Sequence, residues 1–222
     1  MGIKSPYLNP LFLRKNQDSF ESVLEKSAFF YGTHSCPWAV IIPEDLTTEN
    51  HQHVLNSFNF TLSEHSVAMG IELQAFSKFE TPENFEIKSM SHNLEEWMIP
   101  LVDAFGSTKD ITHQYALTHK QALALNAHFH HYTLYIGKCP VSSLTLSLNQ
   151  KEACLNDVAT LPKFQKQGFA SSLILFTLSQ AQKLGGTHCF LDASVGAVSL
   201  YQRLGFTSLF KNNIFLKEIT PK

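Results

Sequence analysis

The stretch of this sequence best suited to chemistry is Gln165-Lys166-Gln167-Gly168-Phe169-Ala170, a Q-x-x-G-x-A pattern. It follows a strand-like run from Cys154 to Leu161 and opens a long amphipathic helix. A strand end, a glycine turn and a helix start together leave several backbone N–H groups without internal acceptors, at the positive end of a helix dipole. That combination is an anion site suited to a pyrophosphate. Gly168 would let the backbone approach a ligand closely, and Ala170 keeps the helix start uncluttered. A phosphate loop of the G-x-x-x-x-G-K-[ST] type is absent from the sequence. A second group, His128, His130 and His131, flanks Phe129. His128 and His130 would share a strand face, where two imidazoles could hold a metal or accept a proton. No cysteine or acidic residue stands at ligand spacing, so no metal is expected, and the plainer reading is a packed or exposed strand.

The elements that must position these residues read in order. Asp18 and Glu21 form a capping-box pattern ahead of Phe20, Val23, Leu24 and Ala28, a helix ending near Gly32. Trp38 to Ile42 reads as a short strand, Thr47 to Phe58 as a helix, and His65 to Leu73 as a strand. Phe76 to Asn84 is polar, holds Pro82 and reads as a linker. After a strand at Phe85 to Met90, Asn93 and Glu96 suggest a second capping box. Behind it Leu94, Trp97, Met98, Leu101, Val102 and Phe105 recur at helical spacing, with Pro100 predicting a kink or break. His113 to Asn126 reads as a helix. Phe129 to Ile136, Val141 to Leu148 and Glu152 to Leu161 read as an antiparallel meander. The helix after Gly168 stops at Gly185-Gly186. A strand at Thr187 to Asp192, a short helix at Gly196 to Leu204 and two strands flanking Lys211-Asn212 complete the chain. A weak echo lays residues 53–61 on residues 199–207, both helix ends leading into Phe-Thr.

Composition narrows the class. The 222 residues are 44% hydrophobic with 18 Phe, enough for a substantial core. The net charge is -2 and no basic stripe exists, which argues against nucleic-acid or anionic-membrane partners. The N-terminal residues lack the apolar region of a signal peptide, and the longest apolar run is too short to span a bilayer. Cys36, Cys139, Cys154 and Cys189 show no C-x-x-C spacing, consistent with a reducing compartment and a cytoplasmic protein.

These residues carry a resemblance. Asn156-Asp157-Val158-Ala159-Thr160-Leu161-Pro162 followed by Gln165 to Ala170 is similar to the strand–loop–helix hallmark of the GCN5-related N-acetyltransferase (GNAT) family. Some thirty residues on, Cys189 to Ser194 followed by Ala197-Val198-Ser199-Leu200-Tyr201-Gln202-Arg203-Leu204-Gly205-Phe206 resembles the family's A-x-x-L-Y-x-x-L-G-F segment. The resemblance covers roughly residues 85 to 220. The first 75 residues, through Trp38, Phe60 and Met69, are similar to the GNAT-like half-domain that precedes the catalytic domain in many bacterial members. The implied fold is α+β: a central mixed, mostly antiparallel sheet flanked by helices, with a small α/β half-domain over residues 1–80 and an acetyltransferase domain over 81–222.

What the resemblance implies for function is transfer of acetyl from acetyl-CoA to a primary amine by direct attack. Backbone groups of Gln167, Gly168, Phe169 and Ala170 would cradle the pyrophosphate, with Gln165 in place of the commoner arginine and Lys166 a source of charge. Val158, Ala159 and Thr160 would pair with the pantetheine arm like an added strand. Ser194 would lie near that arm or cap the following helix. Tyr201 matches the family tyrosine that donates a proton to the departing thiolate. The family's glutamate position is held by Cys154. Glu152 lies on the same face by strand alternation and is the candidate catalytic base, beside the plainer reading of a solvated strand-end glutamate and a water relay without a dedicated base. Asn156 could only orient a water, and Asp157 and Asp192 are further carboxylates, with parity disfavouring Asp157. The N-terminal half lacks both hallmarks, and Leu55 stands where the echo would place Tyr201. The expected partner is a small-molecule or peptide amine, and a homodimer is left open. The rival reading is a non-catalytic CoA-binding or interaction protein on the same scaffold.

Overall fold

The computed structural model describes residues 3–15, 19–74, 85–90 and 92–217. The expected linker and the domain boundary near residue 80 lie outside these residues, as does Asp18. The chain forms two compact units: one of Met1–Ala68, Ala193–Val198 and Ser208–Lys222, the other of Met69–Asp192 and Ser199–Thr207.

In the first unit, strand β1 (Pro10–Phe12) pairs in parallel with β2 (Ala39–Pro43). Helix α1 (Phe20–Thr33) lies between them in sequence. Helix α2 (Glu49–Ser57) begins with a capping box that the sequence reading did not single out: Thr48 accepts from His51 N–H, and the His51 ring accepts from Thr48 N–H. Strand β3 (Phe60–Glu72) starts five residues earlier than alternation predicts. Phe20, Leu24, Trp38, Val40, Val54, Leu55, Phe60 and Phe215 close this core. Trp38 stacks on Tyr31 and meets Phe60 edge-on, with ring centroids 5.1 and 4.6 Å apart. Leu55 is fully buried, a core residue.

In the second unit, β4 (Glu86–Ser89), β5 (Phe129–Ile136), β6 (Cys139–Asn149) and β7 (Glu152–Thr160) form the antiparallel meander that the alternation predicts. Strand β8 (His188–Ser194) joins β7 in parallel. Helices α3 (Met98–Ala104) and α4 (Lys109–Ala124) lie against one face of this meander. Helix α5 (Phe169–Lys183) lies against the other. Adjacent residues on β5 show the two faces: His131 meets the Trp97 ring, with centroids 4.9 Å apart, while Tyr132 meets Phe176 of α5 at 5.4 Å. Tyr201 sits on α6 (Val198–Arg203), and β9 (Thr207–Lys217), which belongs to the first unit from Ser208 on, is the last described strand. The α+β composition and the mixed, mostly antiparallel pairing match the fold expected from sequence.

Two elements differ from expectation. The helix predicted to start at Leu94 starts at Met98, because Asn93 Oδ1 accepts Glu95 N–H at 3.1 Å and closes a local turn. Pro100 therefore falls in the first helical turn, where its missing N–H leaves no bond unmade, and no kink is needed. The two final strands are one, β9, running through Lys211-Asn212. Asn212 pairs with Pro43 of β2, and Asn213 Nδ2 donates to Thr47 Oγ1 at 2.9 Å. Partners inside the unit thus satisfy polar residues that otherwise signal a turn.

Trp97 fixes the α3 face. It is fully buried, and its indole N–H donates to Leu144 O at 3.1 Å. Trp97→Phe removes that donor and part of the ring. Equilibrium urea unfolding is expected to show a loss of about 1–3 kcal/mol.

Candidate active site

The site is built where β7 leaves β8. Their pairing covers only Glu152–His188, Ala153–Cys189 and Cys154–Phe190. Strand β7 continues to Thr160, so residues 155–160 run beyond the last β8 partner, and a gap opens between the two strands. On its other side β7 stays bonded to β6, with one irregularity. Thr145 pairs with Asn156 and Ser143 with Ala159, so Asp157 and Val158 together oppose Leu144. This is a β-bulge, and Asp157 carries it with φ at +57°. Among the described residues it is the one non-glycine residue inside a strand with left-handed backbone. Aspartate adopts that conformation more readily than most residues.

The bulge changes the side-chain count. Before it, Glu152, Cys154 and Asn156 share a face; after it, Ala159 lies in the core under α3 and α4. Asp157 is turned to that same face, where Tyr115 Oη on α4 donates to its Oδ1 at 2.9 Å. The parity argument against Asp157 is thereby corrected: it assumes an unbroken two-residue repeat.

Around Asp157 lies a buried polar cluster that the sequence reading did not find. His119, one turn beyond Tyr115, meets His131 of β5 with Nδ1 and Nε2 2.7 Å apart. Burial pushes His131 down to about 3 and pulls His119 below its ordinary value, against the opposing pull of Asp157. Both rings are therefore neutral at pH 7, and in their contact one nitrogen donates while the other accepts. Burial pushes the Asp157 carboxyl above the usual carboxylate range, opposed by His119, Thr145 and Tyr115. The Thr145 hydroxyl is close enough to favour the anion, yet neither Thr145 Oγ1 nor Asp157 Oδ2 has a hydrogen-bond partner. The one sequence signal for this cluster is the i, i+4 spacing of Tyr115 and His119, which puts both on one helix face.

The loop after β7 has two left-handed residues close together, Lys166 at φ +59° and Gly168 at +87°. Gly168 is the N-cap of α5, and the first bond of the helix is Ser172 N–H to Gly168 O at 2.9 Å. The N–H groups of residues 169–171 precede that bond and have no acceptor within the helix. A Cβ at Gly168 would meet no atom within 4 Å, so it is the left-handed backbone and not crowding that calls for glycine here. Gln165 Nε2 donates to Thr160 O at 3.2 Å, and Gln167 Nε2 to Lys163 O at 3.0 Å. Both side chains brace the loop, leaving backbone to face outward. Gln165, Lys166, Gln167 and Gly168 are exposed, and Phe169 packs edge-on to Phe164 at 6.1 Å.

The remaining predicted residues fall as follows. Val158 is half-buried; Ala159 and Thr160 are buried, with Thr160 Oγ1 bonded to Ser142 Oγ at 2.8 Å. Tyr201 is buried against Phe206, and burial pushes its phenol up to about 12. Ser194 belongs to the first unit; it precedes a short 3-10 turn, Val195–Ala197, without a side-chain cap bond. Glu152 is exposed at the start of β7, where the two strands are still paired. Burial raises the Cys154 thiol, which contacts Asn156 Oδ1 at 3.7 Å. Asp192 is exposed near the end of β8. His128 is exposed and His130 half-buried. Among the described residues, no group of three or more His, Cys, Asp or Glu is placed to hold a metal, and no helix is long and apolar enough to cross a membrane.

The model of the acetyltransferase (GNAT) family matches residues 92–206, just over half the chain. The chain belongs to the GNAT family. The match spans both sequence hallmarks, the bulge and the gap between β7 and β8. Among solved structures, a GCN5-related N-acetyltransferase from Sphaerobacter thermophilus is similar at 16% identity and a TM-score of 0.69, over 98% of this chain and 75% of that one. One from Kribbella flavida is similar at 15% identity and 0.59, over 90% and 75%. A tandem GNAT protein from the clavulanic acid biosynthesis pathway is similar at 9% and 0.65, over 94% and 72%. At these identities the likeness is one of fold. No curated protein matches the chain.

The raised Asp157 pKa has a consequence for stability. A carboxyl whose folded pKa exceeds its unfolded value stabilises fully below the unfolded pKa and less as pH rises through the folded one. Asp157→Asn removes that loss, and its amide can donate to Thr145 Oγ1. Thermal melts are expected to show the variant at least as stable as wild type at pH 7 to 8, with the difference shrinking toward pH 4.

Proposed function

We propose that this GNAT chain transfers acetyl from acetyl-CoA to a primary amine by direct attack. The observation that carries the reading is the departure of β7 from β8 beside a left-handed glycine N-cap. The gap suits an extended, amide-rich pantetheine arm laid along residues 158–160, and the bare N–H groups of residues 169–171 suit its pyrophosphate. Lys166 supplies charge at the loop's outer side. Gln165 does not, because its amide is engaged with Thr160 O.

In this scheme the amine nitrogen attacks the thioester carbonyl, the C–S bond breaks, and Tyr201 faces the departing sulfur. A phenol near 12 stays protonated at neutral pH. Complete transfer to a thiolate whose conjugate acid lies near ~8.5 is uphill. Tyr201 therefore acts chiefly by hydrogen-bonding the developing charge, worth about 1.5–3 kcal/mol. The attacking amine is the harder problem, since an alkylammonium near ~10.4 leaves only about one part in two thousand neutral at pH 7. Glu152 stands exposed on the closed part of the strand pair, two residues before its last pair.

The second reading, a CoA-binding protein without turnover, is favoured by one observation: Cys154, with its raised thiol, stands where many relatives have glutamate. Calorimetry with acetyl-CoA, paired with thiol release over a panel of primary amines, separates the two. Binding with release on at least one amine is expected; binding without release on any would support the second reading. Tyr201→Phe is expected to lower kcat by roughly 10- to 100-fold with acetyl-CoA affinity little changed. Gly168→Ala is expected to do the converse. Its φ of +87° costs an L-residue about 1–2 kcal/mol, so the loop shifts away from the geometry that aims its N–H groups. Its Kd for acetyl-CoA should rise at least tenfold.

A further inference from the structure

Asp157 is the half-buried acid, with Oδ2 itself buried, that the scheme above does not use. Three independent features single it out. It occupies the bulge, in the part of β7 that β8 has left and immediately before the segment 158–160. Its backbone is held in a left-handed conformation inside a strand, the kind of local strain that collects at functional sites. Its carboxyl is fixed through Oδ1 by Tyr115 while Oδ2, buried, has no donor. A purely structural aspartate would have both oxygens satisfied, because an orphan buried oxygen is costly.

We propose that Asp157 is the proton acceptor for the incoming ammonium, with Tyr115 as the residue that positions its carboxyl. The inference rests on the acetyl-transfer reading. The ammonium proton passes to Asp157 Oδ2, and the freed nitrogen lone pair forms the N–C bond. The C–S bond then breaks, and the second proton shed by nitrogen balances the one taken by the CoA thiolate. Burial supports this role by raising the carboxyl above the usual carboxylate range, which strengthens it as a base. The groups facing Asp157 are Tyr115 and His119 of α4 and Thr145 of β6; His131 of β5 adjoins His119, and Cys154 lies on its own strand. Tyr115 is driven well above its ordinary value by burial and by Asp157, and burial lowers both histidines, so the carboxylate is the proton acceptor this set offers.

The test measures kcat and kcat/KM against pH for wild type, Asp157→Asn, Tyr115→Phe and Glu152→Gln on one amine that wild type acetylates, with acetyl-CoA affinity by calorimetry for each. Asp157→Asn should bind acetyl-CoA like wild type, lose 100-fold or more in kcat, and lose the acid limb that the wild-type profile owes to this carboxyl. Tyr115→Phe removes a hydrogen bond that favours the anion, so the acid limb should move to higher pH while the limiting rate at high pH is largely retained. Glu152→Gln reads the rival base: an acid limb lost in this variant and kept in Asp157→Asn overturns the proposal. Turnover by Asp157→Asn within a few-fold of wild type overturns the proposal and leaves the acetyl-transfer reading standing, as does an acid limb unmoved in Tyr115→Phe. Absence of turnover by wild type on every amine overturns both. If Asp157→Asn does not fold, the Tyr115→Phe profile decides.

Discussion

The second unit turns on one extra residue in β7. Two residues, Asp157 and Val158, face one, Leu144, across the β6–β7 ladder. A bulged strand bends and twists more than its neighbours. Here the bend falls just after the last pair that β7 makes with β8, Cys154–Phe190. A parallel pair held flat along its whole length would have no gap, no free edge on β7 and no route for an extended ligand between strands. The strain at Asp157 thus belongs to the same deformation that opens the sheet, and the ladder with β6 on both sides of it supplies the support.

The electrostatics around the bulge are consistent with one another. Two histidines at hydrogen-bond distance cannot both be charged, and their burial keeps them neutral. His119, Thr145 and the Tyr115 hydroxyl all draw the Asp157 carboxyl down, but burial outweighs them and its pKa stays high. The Trp97 ring closes the cluster from the α3 side, 5.2 Å from His119 and 4.9 Å from His131, and keeps the local dielectric low. Each shift therefore has the same cause, burial under α3 and α4.

How much of this the sequence disclosed follows the range of each signal. The Q-x-x-G-x-A loop, the meander and α5 rest on local patterns, glycine placement and alternation, and they stand where those patterns put them. The departure at Asn93 is also local, but two turn chemistries compete there, and the side chain that caps a helix equally well closes a short turn. At β9 the signal is non-local: Asn213 reads as a turn residue until Thr47 and His65 are seen beside it. The bulge is beyond reach for a deeper reason. It is a property of the register between two strands, and no residue type in β7 announces it. One inserted residue reverses every inside-outside assignment downstream, so the alternation that placed Glu152, Cys154 and Asn156 on one face was sound, and its extension to Asp157 was not.

Strand β9 carries a consequence for how the chain comes together during synthesis. β2 is flanked by the three-residue β1 and by β9, and nearly every residue of β2 finds its antiparallel partner only in β9. At ordinary translation speeds the interval between the emergence of β2 and of β9 is on the order of ten seconds or more. For that time an apolar strand, Ala39–Pro43, has one unpaired edge, a template for wrong partners. The first unit is therefore the earliest in sequence and among the last to be completed. A cut near residue 80 would isolate a fragment that lacks a strand from its own sheet.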